Sequence, residues 1–390
     1  MVKSILILSH EYPPYAFGGV ATFTEEIAHY LAQQNYNVYV VTGRSIKRTT
    51  IEKSNNLIII RTAFPDLPIR SVWYSFLSKT LILNLLEKAD LVIANAGSAS
   101  FLAPYIKKNK KFIAIYHGTI ESMLSFYRYI SVKNLLKYLD PMQFIFYNML
   151  PFYKYLYKLD AQNADLHIAV ARHVIDELQN QYPELGKTIK DNSVIIYNGI
   201  DVDRFFKLSK HDLKYYRFIF AYVGRLYFTK GITYALESFK LIQRELGDSA
   251  EMWIFGDGPL KYWIEKFSRK NSLKTKLFGY VSREFLINLM SKYVSVLIFP
   301  SLYEGCPYAL LEANALGIPV VAWDLNWSKE FIENGINGYR AFFGDIQMLA
   351  ERAIDSIEIS RKIPIHLIKK YDKKNTFQKY IEIINRLSLK

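Results

Sequence analysis

Two glutamates, Glu304 and Glu312, are separated by seven residues in the segment FPSLYEGCPYALLEANALGIPVVA, residues 299–322. An apolar run predicts a strand before them, Glu304 falls in a tight turn, and a helix is predicted to begin near Tyr308. Glu312 then lies about one helical turn further on, so both carboxylates can face one crevice. Backbone N–H groups at a helix start suit a phosphate or sugar oxygen, and a carboxylate on the next turn can accept hydrogen bonds from both hydroxyls of a ribose. The alternative is an ordinary strand–turn–helix whose glutamates face solvent.

Two cations follow another predicted strand, residues 218–223. Arg225 and Lys230 lie in a loop that ends in Gly231. A guanidinium offers a planar fork to phosphate oxygens and an ammonium offers a mobile point charge, so the pair could neutralise a leaving nucleoside diphosphate. The alternative is a pair of solvated cations beside a turn. The loop is not a Walker loop, because G-x-x-x-x-G-K-[ST] is absent.

The segment 299–322 resembles the donor-site signature of the family 4 retaining glycosyltransferases, which have the GT-B fold. Cys306 stands where that family usually has an aromatic or other large residue. Further landmarks that resemble the family span nearly the whole chain. The resemblance implies an α/β protein of two Rossmann-like, doubly wound parallel-sheet domains that face each other across a cleft. It also implies transfer with retention of configuration and without a metal, in which the departing phosphate helps to deprotonate the acceptor.

The resemblance assigns a donor-binding role to Gly18, Gly19, Arg225, Lys230, Val281, Cys306, Pro307, Tyr308 and Glu312. Glu312 would hold the ribose, and Arg225 and Lys230 would hold the diphosphate, helped by the paired glycines. The turn 306–308 would hold the sugar together with Glu304. Val281 follows a predicted strand end at which a base could stack or pair with the main chain.

His117 directly follows the apolar run FIAIY. A histidine at a strand end can bond a sugar hydroxyl or shield a developing positive charge through its carbonyl, although a lone histidine is more often a structural residue. This histidine resembles the family's active-site histidine, and we therefore assign it, with Glu304, to catalysis. Asp201 and Asp203 match the D-x-D metal motif of the other glycosyltransferase fold, but they follow Asn-Gly in a predicted turn, where these residue types serve the backbone. No metal site is predicted.

Apolar runs alternate with helical stretches along the chain, which is the pattern of doubly wound parallel sheets. Predicted strands cover residues 5–9, 38–42, 57–61, 91–96, 112–116, 166–170, 193–197, 218–223, 252–255, 276–278, 294–299, 319–323 and 339–342. A chain of 390 residues is long for one core, so we expect two domains. The predicted division is 1–206, joined by a final helix 371–390, and 207–370.

Composition limits the partners. Hydrophobic residues make up 51% of the chain, which excludes disorder, and the single cysteine, Cys306, excludes an internal disulfide. We interpret Cys306 as a packing residue rather than a nucleophile, because no histidine or acid is tied to it in the sequence. The net charge of +14 favours an acidic partner: a nucleotide, a phosphate, nucleic acid or anionic lipid.

Residues 120–160 are dense in Tyr, Phe, Leu and Lys. They could be helices packed on the sheet with snorkelling lysines, or an interfacial surface that docks the protein on anionic lipid near a lipid-linked acceptor. Nucleic acid is not favoured, because no groove-reading element accompanies the basic residues. The N-terminus lacks a signal-peptide pattern and no window reaches about 18 consecutive apolar residues. We therefore expect a cytoplasmic protein that can bind the inner face of the membrane.

The sequence thus predicts a hexosyltransferase that uses a UDP- or GDP-linked sugar and a glycan or lipid-linked acceptor, with no cofactor beyond that co-substrate. Two alternatives remain. A nucleotide-sugar epimerase or a phosphorylase could use the same architecture, and a catalytically silent nucleotide-sugar-binding scaffold belongs to a different class. An epimerase would convert donor without acceptor, and a scaffold would be indifferent to Glu304→Ala.

Overall fold

The computed structural model describes residues 2–15, 18–44, 49–63, 70–95, 97–129, 145, 148–209 and 217–388. These residues form two compact units. The N-terminal unit contains residues 2–125, 145, 148–198 and 374–388, and the C-terminal unit contains residues 126–129 and 199–373. The chain therefore leaves the first unit after residue 198 and re-enters it at 374, compared with predicted boundaries of 206 and 371.

The N-terminal unit is built on an eight-stranded sheet. Its strands are β1 (Ser4–Leu8), β2 (Asn37–Arg44), β3 (Thr50–Ser54), β4 (Leu57–Ala63), β5 (Leu91–Asn95), β6 (Lys111–Tyr116), β7 (Leu166–Ala169) and β8 (Ser193–Ile195). Their order is β3-β4-β2-β1-β5-β6-β7-β8, and all neighbours are parallel except β3 and β4. The central strands are continuous apolar runs, and residues 5–8 of β1 are at most 2% exposed. Such runs are typical of parallel strands that are covered on both faces.

Helices connect these strands. They are α1 (Gly19–Gln33), α2 (Arg70–Leu77), α3 (Lys79–Leu86), α4 (Ala103–Asn109), α5 (Ile120–Tyr129), α6 (Leu150–Asn163), α7 (Arg172–Gln181) and α8 (Gly186–Asp191). Helix α1 buries an apolar face that includes Phe23, Ile27 and Leu31 at helical spacing. No helix in the described ranges is long and apolar enough to cross a bilayer.

The C-terminal unit has a six-stranded, fully parallel sheet in the order β11-β10-β9-β12-β13-β14. These strands are β9 (Phe218–Val223), β10 (Ala250–Phe255), β11 (Thr275–Gly279), β12 (Val294–Ile298), β13 (Val320–Trp323) and β14 (Gly338–Ala341). Its helices are α9 (Val202–Ser209), α10 (Ile232–Leu246), α11 (Lys261–Lys270), α12 (Arg283–Tyr293), α13 (Tyr308–Ala315), α14 (Asn326–Phe331), α15 (Ile346–Asp355) and α16 (His366–Lys369). The last helix, α17 (Lys373–Ser388), continues into the N-terminal unit.

The predicted doubly wound α/β class is confirmed, and each predicted strand is present with ends within two residues. Strand β3 was not predicted. Its sequence TIEKS carries one apolar residue, most of it is exposed, and it pairs antiparallel at the sheet edge, so it lacks the apolar run by which the other strands were found. In the basic and aromatic stretch 120–160, residues 130–144, 146 and 147 lie outside the described residues.

Candidate active site

The loop that follows β9 carries both predicted diphosphate-binding cations. The hydroxyl of Tyr222 lies 2.9 Å from the carbonyl oxygen of Arg225 and 3.2 Å from that of Lys230, so it closes the loop from inside. Gly231 ends the loop with φ of +77°, and a Cβ there would lie 1.9 Å from the carbonyl oxygen of Pro300. Only glycine allows this approach. The backbone of the loop is therefore fixed at both ends.

Lys230 and Glu304, which were predicted separately, form an ion pair. Lys230 Nζ donates to Glu304 Oε1 at 2.6 Å, and the Ser301 hydroxyl donates to the same oxygen at 2.7 Å. The ammonium also lies 5.3 Å from the centre of the Tyr303 ring. Both charged side chains are less than a fifth exposed. Removing one partner of such a pair leaves the other charge poorly compensated, so the two residues act as one balanced group.

Arg225 differs from Lys230, the other cation of this loop. Its guanidinium lies 5.3 Å from the centre of the Tyr227 ring, and none of the ion pairs among the described residues includes it. Because the charge of Lys230 is offset by Glu304, Arg225 supplies the net positive charge of this loop. An anion that enters here meets that charge first.

Glu312 is buried and ion-paired. It lies on α13 and is 5% exposed. Arg283, at the start of α12, donates from Nε to Glu312 Oε1 at 2.7 Å, and its Nη2 contacts the same oxygen. The guanidinium carbon lies 5.6 Å from the centre of the Tyr308 ring. Sequence reasoning did not find Arg283, although a carboxylate predicted on a buried helix requires a cationic partner, and Arg283 lies only two residues after Val281.

The turn before α13 has the predicted form. Pro307 is the N-cap residue, and its carbonyl accepts from the N–H groups of Leu310 and Leu311 at 3.1 and 3.2 Å. Cys306 is 5% exposed, which agrees with its interpretation as a packing residue. The first-turn N–H groups of α13 and the carboxylate of Glu312 therefore belong to one rigid element.

The carboxyl ends of β9, β10 and β11 are joined through their loops. Gly224 N donates to Phe255 O at 3.0 Å, and Gly256 N donates to Gly279 O at 2.8 Å. A Cβ on Gly256 would lie 1.9 Å from Gly224 O, so the turn after β10 serves packing. Val281, which was predicted to lie near the base, follows the last of these strand ends and is half-buried.

A second cluster, in the N-terminal unit, contains His117. The imidazole Nε2 lies 2.9 Å from Asn95 Oδ1 at the end of β5, and Asn95 Nδ2 donates to Thr24 Oγ1 of α1 at 2.8 Å. With the amide in this orientation, Nε2 carries the proton and Nδ1 is an acceptor. The Phe23 ring packs edge-on at 4.8 Å between centroids, and burial lowers the pKa of His117 to about 3. The ring is therefore neutral at pH 7.

A buried carboxylate supports this cluster. Asp160 of α6 is inaccessible to solvent and accepts the N–H groups of Gly97 and Ser100 at 2.6 Å each. Burial raises its pKa to about 7, opposed by those N–H donors. In the same loop Ser98 Oγ lies 3.2 Å from His10 Nδ1. Asp160 was missed because about sixty residues separate it from the loop it holds.

The paired glycines lie at the start of α1. Gly18 is the N-cap with an extended φ of 173°, and a Cβ there would meet nothing within 4 Å. Gly19 is the first helical residue. Residues 16 and 17, just before these glycines, lie outside the described residues. The structure leaves room at this helix start, and the assignment to donor phosphates stays a prediction.

Two other features fall away from the predicted site. Asp201 Oδ1 accepts the N–H of Arg204 at 3.1 Å, so this aspartate caps the first turn of α9.

A cavity of about 430 Å³ in the N-terminal unit is lined by Tyr12, Pro13, Pro14, Glu25, His29, Glu52, Lys53, Ser54, Leu57, Ile59 and Arg61. None of the predicted site residues lines it.

Two family models match the chain. A family model described as Glycosyltransferase Family 4 matches residues 17–204, and one described as Glycosyl transferases group 1 matches residues 203–374. The two matches meet and together span most of the chain. The chain belongs to the group 1 glycosyltransferases of family 4.

Individual glycosyltransferases resemble this chain at low sequence identity. The chain is 24% identical to an uncharacterized glycosyltransferase of Methanocaldococcus jannaschii over 355 residues, 86% of this chain and 84% of that protein. It is 31% identical over 162 residues to the UDP-Gal:alpha-D-GlcNAc-diphosphoundecaprenol alpha-1,3-galactosyltransferase of Escherichia coli, 39% of this chain. That match spans only 42% of the length of the Escherichia coli enzyme.

A solved structure shows the same fold. Anabaena HepE in complex with UDP-glucose superposes with a TM-score of 0.69 and 17% identity, over 99% of this chain and all of that one. At this identity the likeness shows the fold alone, which is GT-B.

Proposed function

We propose that this protein transfers a hexose from a nucleotide-diphosphate sugar to a glycan or lipid-linked acceptor, with retention of configuration and without a metal. The observation that carries the proposal is the arrangement of one loop and one helix in the C-terminal unit. Arg225 and the Lys230–Glu304 pair lie on the loop and the strand end beside it, and Glu312 lies buried on α13. Cations suited to a diphosphate thus occur with a carboxylate suited to a ribose.

In this proposal Arg225 binds the diphosphate and Lys230 shares its ammonium between Glu304 and a phosphate oxygen. An ammonium has three N–H donors, so it can keep Glu304 while it contacts the ligand. When the bond between the anomeric carbon and the phosphate oxygen breaks, these cations and the first-turn N–H groups of α13 stabilise the negative charge that develops. Glu304 and the turn 306–308 hold the sugar.

The acceptor hydroxyl forms the new bond to the anomeric carbon on the face from which the phosphate departs, and its proton passes to that phosphate. This order conserves the configuration and needs no separate base. His117, which is neutral and has Nδ1 as an acceptor, is suited to bind a sugar hydroxyl. Proton magnetic resonance of the product would show the same anomeric configuration as the donor, and an inverted product would contradict the proposal.

We infer that the donor carries UDP. The Escherichia coli relative is named for UDP-Gal, and HepE was solved with UDP-glucose. The main test is thermal shift with UDP, GDP and ADP, followed by turnover of the matching sugar donors with glycan and lipid-linked acceptors. A ligand at a hundred times its Kd stabilises by about 2.7 kcal/mol, which is readily measured. Donor conversion without acceptor would identify an epimerase, sugar phosphate release from glycan and phosphate would identify a phosphorylase, and binding without turnover would identify a scaffold.

Metal independence follows from the same cations. Arg225 and Lys230 supply the charge that a divalent ion supplies in other transferases, and Asp201 of the D-x-D sequence caps a helix. Activity should therefore survive a chelator. Loss of turnover that manganese restores would contradict this part of the proposal.

We also propose that the protein works at the cytoplasmic face of the membrane, on an anionic surface. Phe101, just before α4, and Tyr105 and Tyr155, on α4 and α6, are about half exposed, and Lys154 precedes Tyr155 in the sequence. Aromatics and lysines together favour an anionic lipid interface. Lys158 contributes less, because it pairs with Glu184 at 2.6 Å.

Co-sedimentation at low salt with vesicles containing phosphatidylglycerol, against vesicles of phosphatidylcholine alone, tests this surface. Neutralising Lys154 together with Lys133 and Lys137, which lie outside the described residues, should reduce binding to the anionic vesicles. Lys274→Ala, on the other unit, is the control. Equal sedimentation with both vesicle types would refute the surface.

A further inference from the structure

Arg283 occupies a position that helix stability does not explain. It is the first residue of α12, and Ser282 caps that helix by accepting the N–H of Phe285 at 3.3 Å. The N-terminus of a helix carries the positive end of its dipole, where a cation is unfavourable. The guanidinium must therefore serve a partner outside its own helix.

That partner is Glu312. Both contacts that Arg283 makes to this carboxylate, through Nε at 2.7 Å and through Nη2, go to Oε1. The Glu312 side chain is 7% exposed and that of Arg283 is 38% exposed, so the arginine reaches inward from a more open position. The Tyr308 ring, 5.6 Å from the guanidinium carbon, limits the plane in which the fork can lie. The orientation of Glu312 is thus set from two sides.

We propose that Arg283 is a positioning residue that holds Glu312 for the two ribose hydroxyls of the donor and so makes the protein prefer ribose over 2′-deoxyribose. This inference rests on the proposed function. A carboxylate can accept several hydrogen bonds at once, so the arginine contact and a ribose contact are compatible. The two N–H groups hold Oε1 in place before the ligand arrives, and a preformed acceptor loses less freedom on binding. Arg283 thereby acts through Glu312 rather than on the reacting atoms.

The test compares the Kd of UDP with that of 2′-deoxy-UDP by isothermal titration, in the wild type and in Arg283→Ala, Arg283→Lys and Glu312→Gln. A hydrogen bond to a charged group corresponds to a preference of about tenfold or more for UDP in the wild type. Arg283→Ala should weaken UDP about tenfold, weaken 2′-deoxy-UDP less because that nucleotide keeps only the 3′-hydroxyl, and so lower the ratio toward one. Arg283→Lys keeps the charge but not the fork, and should recover part of the ratio.

Arg352 offers a matched control. Its side chain is also 38% exposed, it pairs with Asp355 at 3.0 Å, and it lies 5.3 Å from the centre of the Tyr339 ring. Arg352→Ala should leave both Kd values unchanged. The positioning role would be overturned if Arg283→Ala kept the wild-type ratio of the two Kd values. In that case the substitution would weaken the binding of both nucleotides equally or of neither. A wild-type protein that binds neither nucleotide would overturn the donor proposal as well, so the two failures can be told apart.

Discussion

The two units hold their polar side chains by different means. In the C-terminal unit the candidate site is made of opposed charges. Lys230 bonds Glu304 at 2.6 Å, and Arg283 bonds Glu312 at 2.7 Å. Each acid lies on the strand–turn–helix 294–315, and the cations follow β9 and β11, so charge pairing ties the ends of these two strands to that segment.

In the N-terminal unit the corresponding strand ends carry neutral groups. His117, Asn95 and Thr24 form a chain of hydrogen bonds, and the imidazole is neutral at pH 7. The carboxylate of Asp160, in the same unit, accepts hydrogen bonds from two backbone N–H groups. Under the proposed function, the charged groups of the C-terminal unit would bind a diphosphate, and the neutral His117, Asn95 and Thr24 of the N-terminal unit would bind hydroxyl groups.

The largest effect should come from the charged side. Lys230→Ala removes the ammonium and leaves Glu304 with an uncompensated, largely buried charge, so we expect kcat/KM to fall about 10³-fold, as for the loss of a main electrostatic stabiliser. Steady-state kinetics with the donor varied would measure it. Lys274→Ala is the matched control, because Lys274 forms an ion pair of 2.5 Å with an exposed aspartate. A Lys230→Ala enzyme with wild-type kinetics would show that the charged cluster is not the donor site.

His117 gives a smaller effect with a distinctive pH dependence. His117→Ala should lower kcat about tenfold to a hundredfold by removing one hydrogen bond to the sugar. Because burial lowers the pKa from 6.5 to about 3, the loss should be the same factor at pH 5.5 and at pH 8. His29→Ala, at an exposed position on α1, should have no effect.

The lowered pKa of His117 also determines how the stability of the folded protein changes with pH. A folded-state pKa below the unfolded one means that the neutral ring contributes stability above about pH 6.5 and loses that contribution as the pH falls toward 3. In urea unfolding, the wild type should therefore lose more stability than His117→Ala on acidification over this interval.

The kinetic test has a clear contrary outcome. If the ratio of wild-type kcat to His117→Ala kcat changes about tenfold between pH 5.5 and 8, His117 is an ordinary, exposed histidine instead.

This comparison also shows what the sequence could predict. The strands were predictable because each buried parallel strand is a continuous apolar run. The exposed strand β3 was missed because its sequence contains no such run. Glu304, Lys230 and Glu312 were found individually, because a turn or a helix start reveals them locally. That Lys230 and Glu304 form one pair was not predictable, since 74 residues separate them and their contact depends on sheet order.

Arg283 and Asp160 show the same limit more strongly. Neither lies in a recognisable local motif, and each acts on a partner that is distant in sequence. Arg283 contacts an acid 29 residues ahead, and Asp160 holds a loop whose N–H groups are 60 and 63 residues behind it. Burial creates the need for these partners, and burial is a property of the folded sheets rather than of a short segment.

The smallest effect is expected at Gly18, whose surroundings differ from those of Gly231 in the other unit. Gly231 has φ of +77° and no room for a Cβ, so Gly231→Ala should destabilise the C-terminal unit strongly. Gly18 has an extended φ and open space, so Gly18→Ala should fold normally and gain about 0.5 kcal/mol of stability from reduced freedom in the unfolded chain. If that space admits donor phosphates, the same substitution should raise the donor KM a few-fold while kcat stays close to wild type. Thermal unfolding and donor-varied kinetics on one preparation separate the two effects, and an unchanged KM would confine donor binding to the C-terminal unit.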